Sequence, residues 1–527
     1  VILRPDIEDR CHHSVTKAYL GPEVCYPAAV TAEADGFSFN PTHSHALILH
    51  LPGGKFIRQP EWHYMVYLKE EDQRGLDAHT DLFSPGYFEF ELKGGENRSL
   101  NAEINCGGPR AVPADPIWRI TPVASTLPAE EALRGAMSHF IVRRDDSRTI
   151  IAGYPWFLDW GRDTLICLRG LIAAGLLDEA ADIIRVFAGF EKNGTLPNMI
   201  RGNDDSNRDT SDAPLWLFVA VGDYLRRTGS RELLQSDCRG RSLAQVLASI
   251  AEHYQSGTPN GIRADAASGL IFSPSHFTWM DTNHPAGSPR EGYPIEIQAL
   301  WRYALHLLYE CSGNERWARL AKQTEDSIRQ FYPLATGGLS DCLHGGRNTS
   351  ASAAVPDDAC RPNQLFAVTL GAIPDPGLGR SILAATEELL IPGALRSLAD
   401  RPVNYPLPVD RHGARLNDPC RPYWGRYEGD EDTRRKPAYH NGTAWTWPFP
   451  SYCEALLQLG GETVRNRALA LLTSAICNLE RGCPGHTPEI LDGNAPHLPR
   501  GCGAQAWGVT ELFRVYRLLV TEPDHQG

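Results

Sequence analysis

A chain of 527 residues with 51 basic and 64 acidic side chains has a formal charge of −13 and no Lys/Arg-rich run, so it lacks the basic footprint a nucleic-acid binder needs. Hydrophobic residues make up 42% and charged residues 22%, the balance of a globular protein with a large core. No uninterrupted apolar stretch approaches the roughly 18 residues that read as a transmembrane helix, which sets the membrane aside as a partner.

Val1 to Asp9 are mostly polar and lack the apolar core of a signal peptide, and a start at Val1 without methionine suits a processed or truncated product. The length allows two unequal domains. The 13 cysteines are odd in number and scattered, with no CxxC, so buried reduced thiols in a cytoplasmic protein are expected. His12-His13 and His440 have no ligand spacing, and neither a metal nor any other cofactor is expected.

The first hundred residues read as β. Ala46–Leu51 and Trp62–Leu68 are apolar runs, and residues 87–92 and 99–105 alternate with period two. Leu51-Pro52-Gly53-Gly54 and Ser84-Pro85-Gly86 are taken as the separators between strands. This predicts a β-sandwich-like domain over 1–110, then a proline-spaced linker over 111–129.

From 130 to 527 the pattern turns helical. Helix-like spacing or caps mark 130–143, 160–175, 178–191, 212–228, 242–254, 296–311, 314–332, 362–371, 378–390, 443–459, 462–479 and 503–520, with clear stops at Gly229 and Ser312-Gly313. The links alternate: 176–177, 229–241, 312–313, 372–377 and 460–461 are the short set, and 144–159, 192–211, 255–295, 333–361, 391–442 and 480–502 the long one. In an up-and-down array links of one parity emerge at one end, so one end is closed and the other carries the long loops, where function tends to sit. Twelve helices with that alternation predict a mainly α fold, an (α/α)6 barrel behind the all-β domain.

The long loops are rich in Trp, carboxylates, Arg and amides. Trp160, Arg162 and Asp163 precede or open the second helix, and Asp212 starts the fourth. Trp279, Asp281 and Glu296 lead into the sixth, His440 and Trp445 into the tenth, and Glu489, Gln505 and Trp507 surround the start of the twelfth. Pyranose C–H faces pack on Trp, and hydroxyls take hydrogen bonds from Asp, Asn and Arg, so this mixture is what sugar recognition needs. Glycoside hydrolysis then needs two carboxyl groups flanking the scissile bond. Asp212 equally suits a plain helix cap, and Trp445 or Trp447 a plain core position.

Trp160-Gly161-Arg162-Asp163-Thr164, Thr278-Trp279-Met280-Asp281, Pro294–Trp301, Arg361-Pro362-Asn363-Gln364, Tyr439-His440-Asn441-Gly442-Thr443 and Ala504-Gln505-Ala506-Trp507 together resemble the amylo-α-1,6-glucosidase module of glycogen debranching enzymes. The likeness extends into the β domain through Lys69–Asp77 and Ser84-Pro85-Gly86. It implies an inverting exo-glucosidase that releases glucose from α-1,6 branch stubs of an α-glucan, with a glucoamylase-like site. Carried across, Asp281 is the general acid and Glu489 the general base, with Asp492 and Glu296 as rivals for the second role. Arg162 and Asp163 clasp the terminal glucose, and Trp160, Asp212, Trp279, Glu296, His440, Trp445, Gln505 and Trp507 complete the substrate-binding set. The stretch from Leu334 to Cys360 matches no motif, and nothing resembles the α-amylase-like transferase domain of eukaryotic debranching enzymes. Two alternatives stand beside this reading: another (α/α)6 enzyme, trehalase-like, a different α-glycosidase or a phosphorylase, and a catalytically silent glucan-binding protein.

Overall fold

The computed structural model describes residues 1–10, 14–73, 76–105, 127–202, 204–282 and 289–521. The chain divides into two compact units, Val1–Ile120 and Thr121–Gly527. The stretch expected to be a linker, 111–129, falls almost wholly outside the described residues, as do His12-His13.

In the first unit, strands β1 (Ile2–Leu3), β5 (Lys55–Tyr67) and β6 (His79–Glu89) form one antiparallel sheet in the order β1-β6-β5. Strands β2 (Val30–Ala32), β3 (Gly36–Phe39), β4 (Ala46–His50) and β7 (Asn101–Asn105) form a second, consecutive one. Phe37, Phe39 and Leu49 from the second sheet share a core with Phe56, Phe83 and Phe88 from the first, so the two sheets bury facing sides. Two short helices interrupt the β reading, α1 (Pro22–Ala28) and α2 (Lys69–Gln73). Ser84-Pro85-Gly86, expected as a separator, lies inside β6. The register shifts opposite it, between Arg58 and Glu61, so the proline sits at a bulge. Gly86 has φ +157° and a Cβ there would stand 2.1 Å from the Ile57 carbonyl oxygen, which only glycine avoids.

The second unit is mainly helical. Its elements are α3 (Ala129–Ser138), α4 (Gly161–Ala173), α5 (Leu177–Gly189), α6 (Ala213–Thr228), α7 (Leu243–Ser256), α8 (Ile295–Ser312), α9 (Glu315–Phe331), α10 (Leu365–Thr369), α11 (Pro376–Thr386), α12 (Lys436–Tyr439), α13 (Phe449–Gly460), α14 (Arg465–Ile476) and α15 (Ala506–Val520). Helix α4 packs on α6, α6 on α8, α8 on α10, α10 on α13, α13 on α15, and α15 back on α4, a closed ring. Helices α3, α5, α7, α9, α11 and α14 pack outside ring members. The composition explains the layering: α4 and α6 are buried over most of their length, whereas α9 buries one stripe and exposes the rest. Gly229 and Gly313 adopt the left-handed C-cap their positions demanded, and Ser242 with Gln245 forms a capping box on α7.

Several expected helix bounds move. The first helix ends at Ser138, and β-branched Ile141-Val142 instead enters a hairpin, Ile141–Arg144 with Ser147–Ile150, turning at Asp145 (φ +49°). The segment 443–459 is helical only from Phe449. Ala444–Trp445 pairs with Leu395-Arg396 on one side and Ile490-Leu491 on the other, and Pro448 and Pro450 start the helix after it. Residues 362–371 hold a 3-10 turn, Pro362–Gln364, before the short α10. The cysteine expectation holds in part: Cys167, Cys238, Cys342, Cys360, Cys453 and Cys502 are free and buried, but Cys25, Cys420 and Cys477 are free and exposed.

Candidate active site

Trp160 closes a two-residue strand paired with Met199–Ile200, and α4 begins at once after it. Gly161 makes that sharp entry possible, because a Cβ there would lie 2.2 Å from the Pro197 carbonyl oxygen. The first turn thereby buries Arg162 and Asp163. Arg162 spends its guanidinium on the protein itself: Nε donates to Asp212 Oδ2 at 2.7 Å, one Nη to Asp281 Oδ2 at 2.9 Å, and the other to Thr210 Oγ1 at 3.4 Å. Asp212 occupies the N-cap position of α6 yet makes no capping bond. Thr210 Oγ1 accepts from the Ala213 N–H at 3.2 Å instead and donates to Asp212 Oδ1 at 2.7 Å, so Asp212 belongs to the arginine.

Asp281 lies on a stretch, 278–282, in which each residue has a side-chain partner from elsewhere. Arg290 donates to Thr278 Oγ1 at 3.0 Å, Trp279 Nε1 donates to Asn363 Oδ1 at 2.6 Å, and the Met280 sulfur sits 3.6 Å from Asn363 Nδ2. Arg162 holds Asp281, and His440 Nδ1 shares a hydrogen bond of 2.9 Å with Thr282 Oγ1. Beneath lies a buried ion cluster. Arg290, at φ +49°, forks onto Glu296 at 2.5 and 2.6 Å and onto Asp341 at 2.6 and 3.1 Å, and Asn363 Nδ2 donates to Asp341 Oδ1 at 2.7 Å. Burial lifts the Asp281 carboxyl above the ordinary carboxylate range, and Arg162 pulls the other way. Its side chain is still 29% exposed, and Arg162 engages only one of its two oxygens.

Glu489 is fixed differently. The Tyr439 hydroxyl donates to Oε1, and the Cys502 N–H donates to Oε2 at 2.9 Å. Gly501, at φ +65°, is the residue that lets this loop pass: a Cβ would fall 2.2 Å from Oε2. Each carboxyl oxygen of Glu489 thus meets a donor. Burial, and after it the nearby Glu489 carboxylate, pushes the Tyr439 phenol well above its usual range, so it keeps its proton.

Asp163 joins the two. Burial pushes its carboxyl up to about 8, with Asp281 and Glu489 adding to the rise and Arg162 opposing it. Its hydrogen-bond partner is the Gln505 amide, at 3.4 Å. Gln505 arrives from a strand, Ala504–Gln505, that pairs with Gly153–Tyr154 just before α15.

The aromatic residues form a packed floor. Trp279 meets His440, Trp445 and Trp447 edge-on, His440 stacks on Trp445 at 14°, and Trp507 stacks on Trp447 at 20°. Both Trp445 and Trp447 are core, and the Trp445 indole donates to the Tyr439 carbonyl at 2.8 Å. Trp160 stands apart, half-buried and edge-on to Phe157. His440 is buried and its pKa lies well below the ordinary range, so the ring is neutral. Trp507 Nε1, Gln505 Oε1 and His440 Nε2 are buried without hydrogen-bond partners.

The structure thus brings Arg162, Asp163, Asp212, Asp281, Glu489 and Gln505 into one site over a floor of Trp279, His440, Trp445 and Trp507. Glu296 is saturated by Arg290. Asp492 takes the Tyr427 N–H at 2.8 Å and Arg500 at 3.1 Å. Sequence reasoning missed Tyr439, Thr282, Asn363 and Asp341 as site residues. Tyr439 and Asn363 sat inside quoted motifs, but Asp341 lay in the stretch without one. Among the described residues no three His, Cys, Asp or Glu side chains gather as a metal-ligand set, and no described helix is long and apolar enough to cross a membrane.

A helical ring with a buried multi-carboxylate site at one end is a layout suited to glycoside hydrolysis. Residues 135–514 match the family model "Amylo-alpha-1,6-glucosidase", and residues 1–99 match "Glycogen debranching enzyme N terminal". The chain belongs to the amylo-α-1,6-glucosidase family of glycogen debranching enzymes. The glycogen debranching enzyme of Saccharomyces cerevisiae is 25% identical over 399 residues, covering 58% of this chain but only 25% of that enzyme. Among solved structures, a glycosidase variant in complex with glucose aligns at 12% identity and TM-score 0.49, over 75% of this chain and 98% of that one. A wild-type glycosidase aligns at 12% identity and TM-score 0.48, over 74% and 96%.

Proposed function

We propose that this chain is an inverting glycoside hydrolase that releases glucose from α-1,6-linked stubs of glycogen or a related α-glucan, working on an (α/α)6 barrel preceded by a β-sandwich. The closed ring of six helices with six more outside it supports the barrel. The observation that carries the chemistry is the unequal treatment of two carboxyls. Burial favours the protonated form of Asp281, whereas Glu489 accepts a donor on each of its two oxygens, the contacts a carboxylate base makes. Asp281 then gives its proton to the glycosidic oxygen as the bond to the anomeric carbon breaks. Glu489 takes a proton from the water that attacks the opposite face, so an α-linkage yields β-glucose. Such a pair needs a gap of about 6.5–9.5 Å for the water.

Neutral hydroxyls are suitable partners for the groups left without one. Trp507 Nε1 can donate to a sugar oxygen, Gln505 Oε1 can accept from a hydroxyl, and the neutral His440 Nε2 can meet either need. Asp163, already short of donors, gains from any hydroxyl that replaces solvent.

The test is glucose release from a limit dextrin trimmed to single α-1,6 glucosyl stubs, with isomaltose, maltose and trehalose alongside and the product anomer followed by NMR. β-Glucose released from stubs without added phosphate is expected, and Asp281→Asn should lower the rate roughly 10²–10⁴-fold while leaving glucan binding largely intact. Turnover of another glucoside with the stubs untouched would discard debranching, and a requirement for phosphate would make the enzyme a phosphorylase. Binding without any turnover would leave a silent glucan-binding protein.

A further inference from the structure

Two consecutive residues reach both halves of the reacting pair. The Tyr439 hydroxyl holds Glu489 Oε1, and the next residue, His440, holds Thr282, which follows Asp281 directly. Their backbone is itself pinned. The Tyr439 carbonyl accepts from Trp445 Nε1 at 2.8 Å and from Thr443 Oγ1 at 2.6 Å, and the His440 carbonyl accepts from Arg361. Arg361 also donates to Asn441 Oδ1 at 2.9 Å and to the Ser397 carbonyl at 3.0 Å. The His440 ring cannot pivot freely, being stacked on Trp445 with centroids 5.1 Å apart and met edge-on by Trp279 at 5.5 Å.

We propose that Tyr439–His440 is a rigid spacer that fixes the separation of Asp281 and Glu489, with Tyr439 and His440 as positioning residues and neither as proton donor or acceptor in the reaction. The proposal rests on the acid and base roles given above. An inverting pair is sensitive to its gap, because one water must fit between base and anomeric carbon while the acid still reaches the leaving oxygen. Acid and base here come from loops about two hundred positions apart in sequence, 278–282 and 487–489. No hydrogen bond between the two carboxyls is required if a third segment holds both. The protonation states agree: burial keeps His440 neutral and holds the Tyr439 proton in place.

The two arms have separate signatures. A glucoside of poor leaving group needs the acid, whereas α-glucosyl fluoride leaves without a proton and needs the base only. Thr282→Val removes the acid-side bond at constant shape and should lower kcat on stub substrate about 10–100-fold, with KM within about threefold and α-glucosyl fluoride hydrolysis near wild type. Thr282→Ser should restore the stub rate. Tyr439→Phe should lower kcat on both substrates by a similar about 10–100-fold, since the base serves both. Thermal melts of all three should match wild type to within a few degrees. If Thr282→Val and Tyr439→Phe both keep wild-type rates, or both fall equally on the two substrates, the spacer is wrong while the acid–base reading stands. If wild type hydrolyses neither substrate, the acid–base reading itself fails first.

Discussion

The two ends of the helical ring are both crowded with charge and handle it in opposite ways. At the N-terminal ends of α4, α6 and α8 stand Asp163, Asp212 and Glu296; in the last turns of α6 and α15 stand Arg226 and Arg517. That sorting follows the helix dipoles, which favour anions at the first end and cations at the second. The far end saturates its charge. Arg169 bridges Asp223 at 2.9 Å and Glu511 at 3.3 Å, and Arg514 forks onto Glu454 at 2.9 and 2.7 Å and onto Glu511 at 2.7 Å, around a cavity of about 760 Å³. The site end does not. Asp212 and Asp281 share one guanidinium, Asp163 is pushed up to about 8, and buried groups lack partners. Saturated charge ties helices together; charge left short is what a hydroxyl-bearing ligand completes. Glu296 sharpens the distinction, because it lies at the site end yet is fully paired with Arg290 and so reads as framework.

Breaking the far end gives the largest expected effect on stability. Arg514→Met leaves Glu454 and Glu511 buried with one guanidinium fewer, and the loss should be about 3–5 kcal/mol. Urea unfolding measures it, with kcat of the folded fraction unchanged. A variant as stable as wild type would remove the framework role and with it the contrast between the ends.

The ring was legible in the sequence because its signals are local: apolar spacing, the stops at Gly229 and Gly313, and the alternation of short and long links. Residues of the site that open helices, such as Arg162, Asp163 and Asp212, were legible for the same reason. The pairings were not. Ala444–Trp445 carries no strand signal in two residues, yet its ladder with Ile490-Leu491 is what brings the Tyr439 loop to Glu489. Asp341 gave no sign because its role is set by Arg290 and Asn363, which reach it from opposite sides in sequence. The motif of Arg162 implies a clasp for sugar, and only the fold reveals that Asp212, Asp281 and Thr210 occupy it.

A smaller effect should appear at the site end, with the opposite sign. Asp163 resists ionisation in the folded state, its carboxyl pushed up to about 8 by burial first and by Asp281 and Glu489 second. The unfolded chain ionises near the ordinary value of about 4. Between those pH values the folded form holds the proton more tightly, so wild type loses stability as pH rises through that window and loses no more above it. Asp163→Asn removes the loss. It should match wild type near pH 4 and exceed it by about 2 kcal/mol at pH 5.5, with lower activity on glucan. Calorimetric melts at the two pH values check this, and a gain of equal size at pH 4 would place its origin outside ionisation.

The smallest effect tests whether the far end needs buried pairs to act as a framework. One Nη of Arg517 reaches both oxygens of Glu130, at 2.9 and 3.0 Å, tying α15 to α3, whereas Arg514 sets one Nη on each oxygen of Glu454. Solvent separates the pairs further: the Arg517 and Glu130 side chains are 39% and 36% exposed, against 10% and 7% for Arg514 and Glu454. Water stabilises either exposed partner when the other is removed, and salt screens their attraction. Glu130→Gln should therefore cost under about 1 kcal/mol, and less again in 1 M salt. A cost near that of Arg514→Met would mean that exposed ion pairs hold the ring as firmly as buried ones. A small, salt-sensitive cost assigns the holding power to buried pairs. Glu296–Arg290, buried at the site end, then belongs with Glu454–Arg514 by physics as well as by pairing.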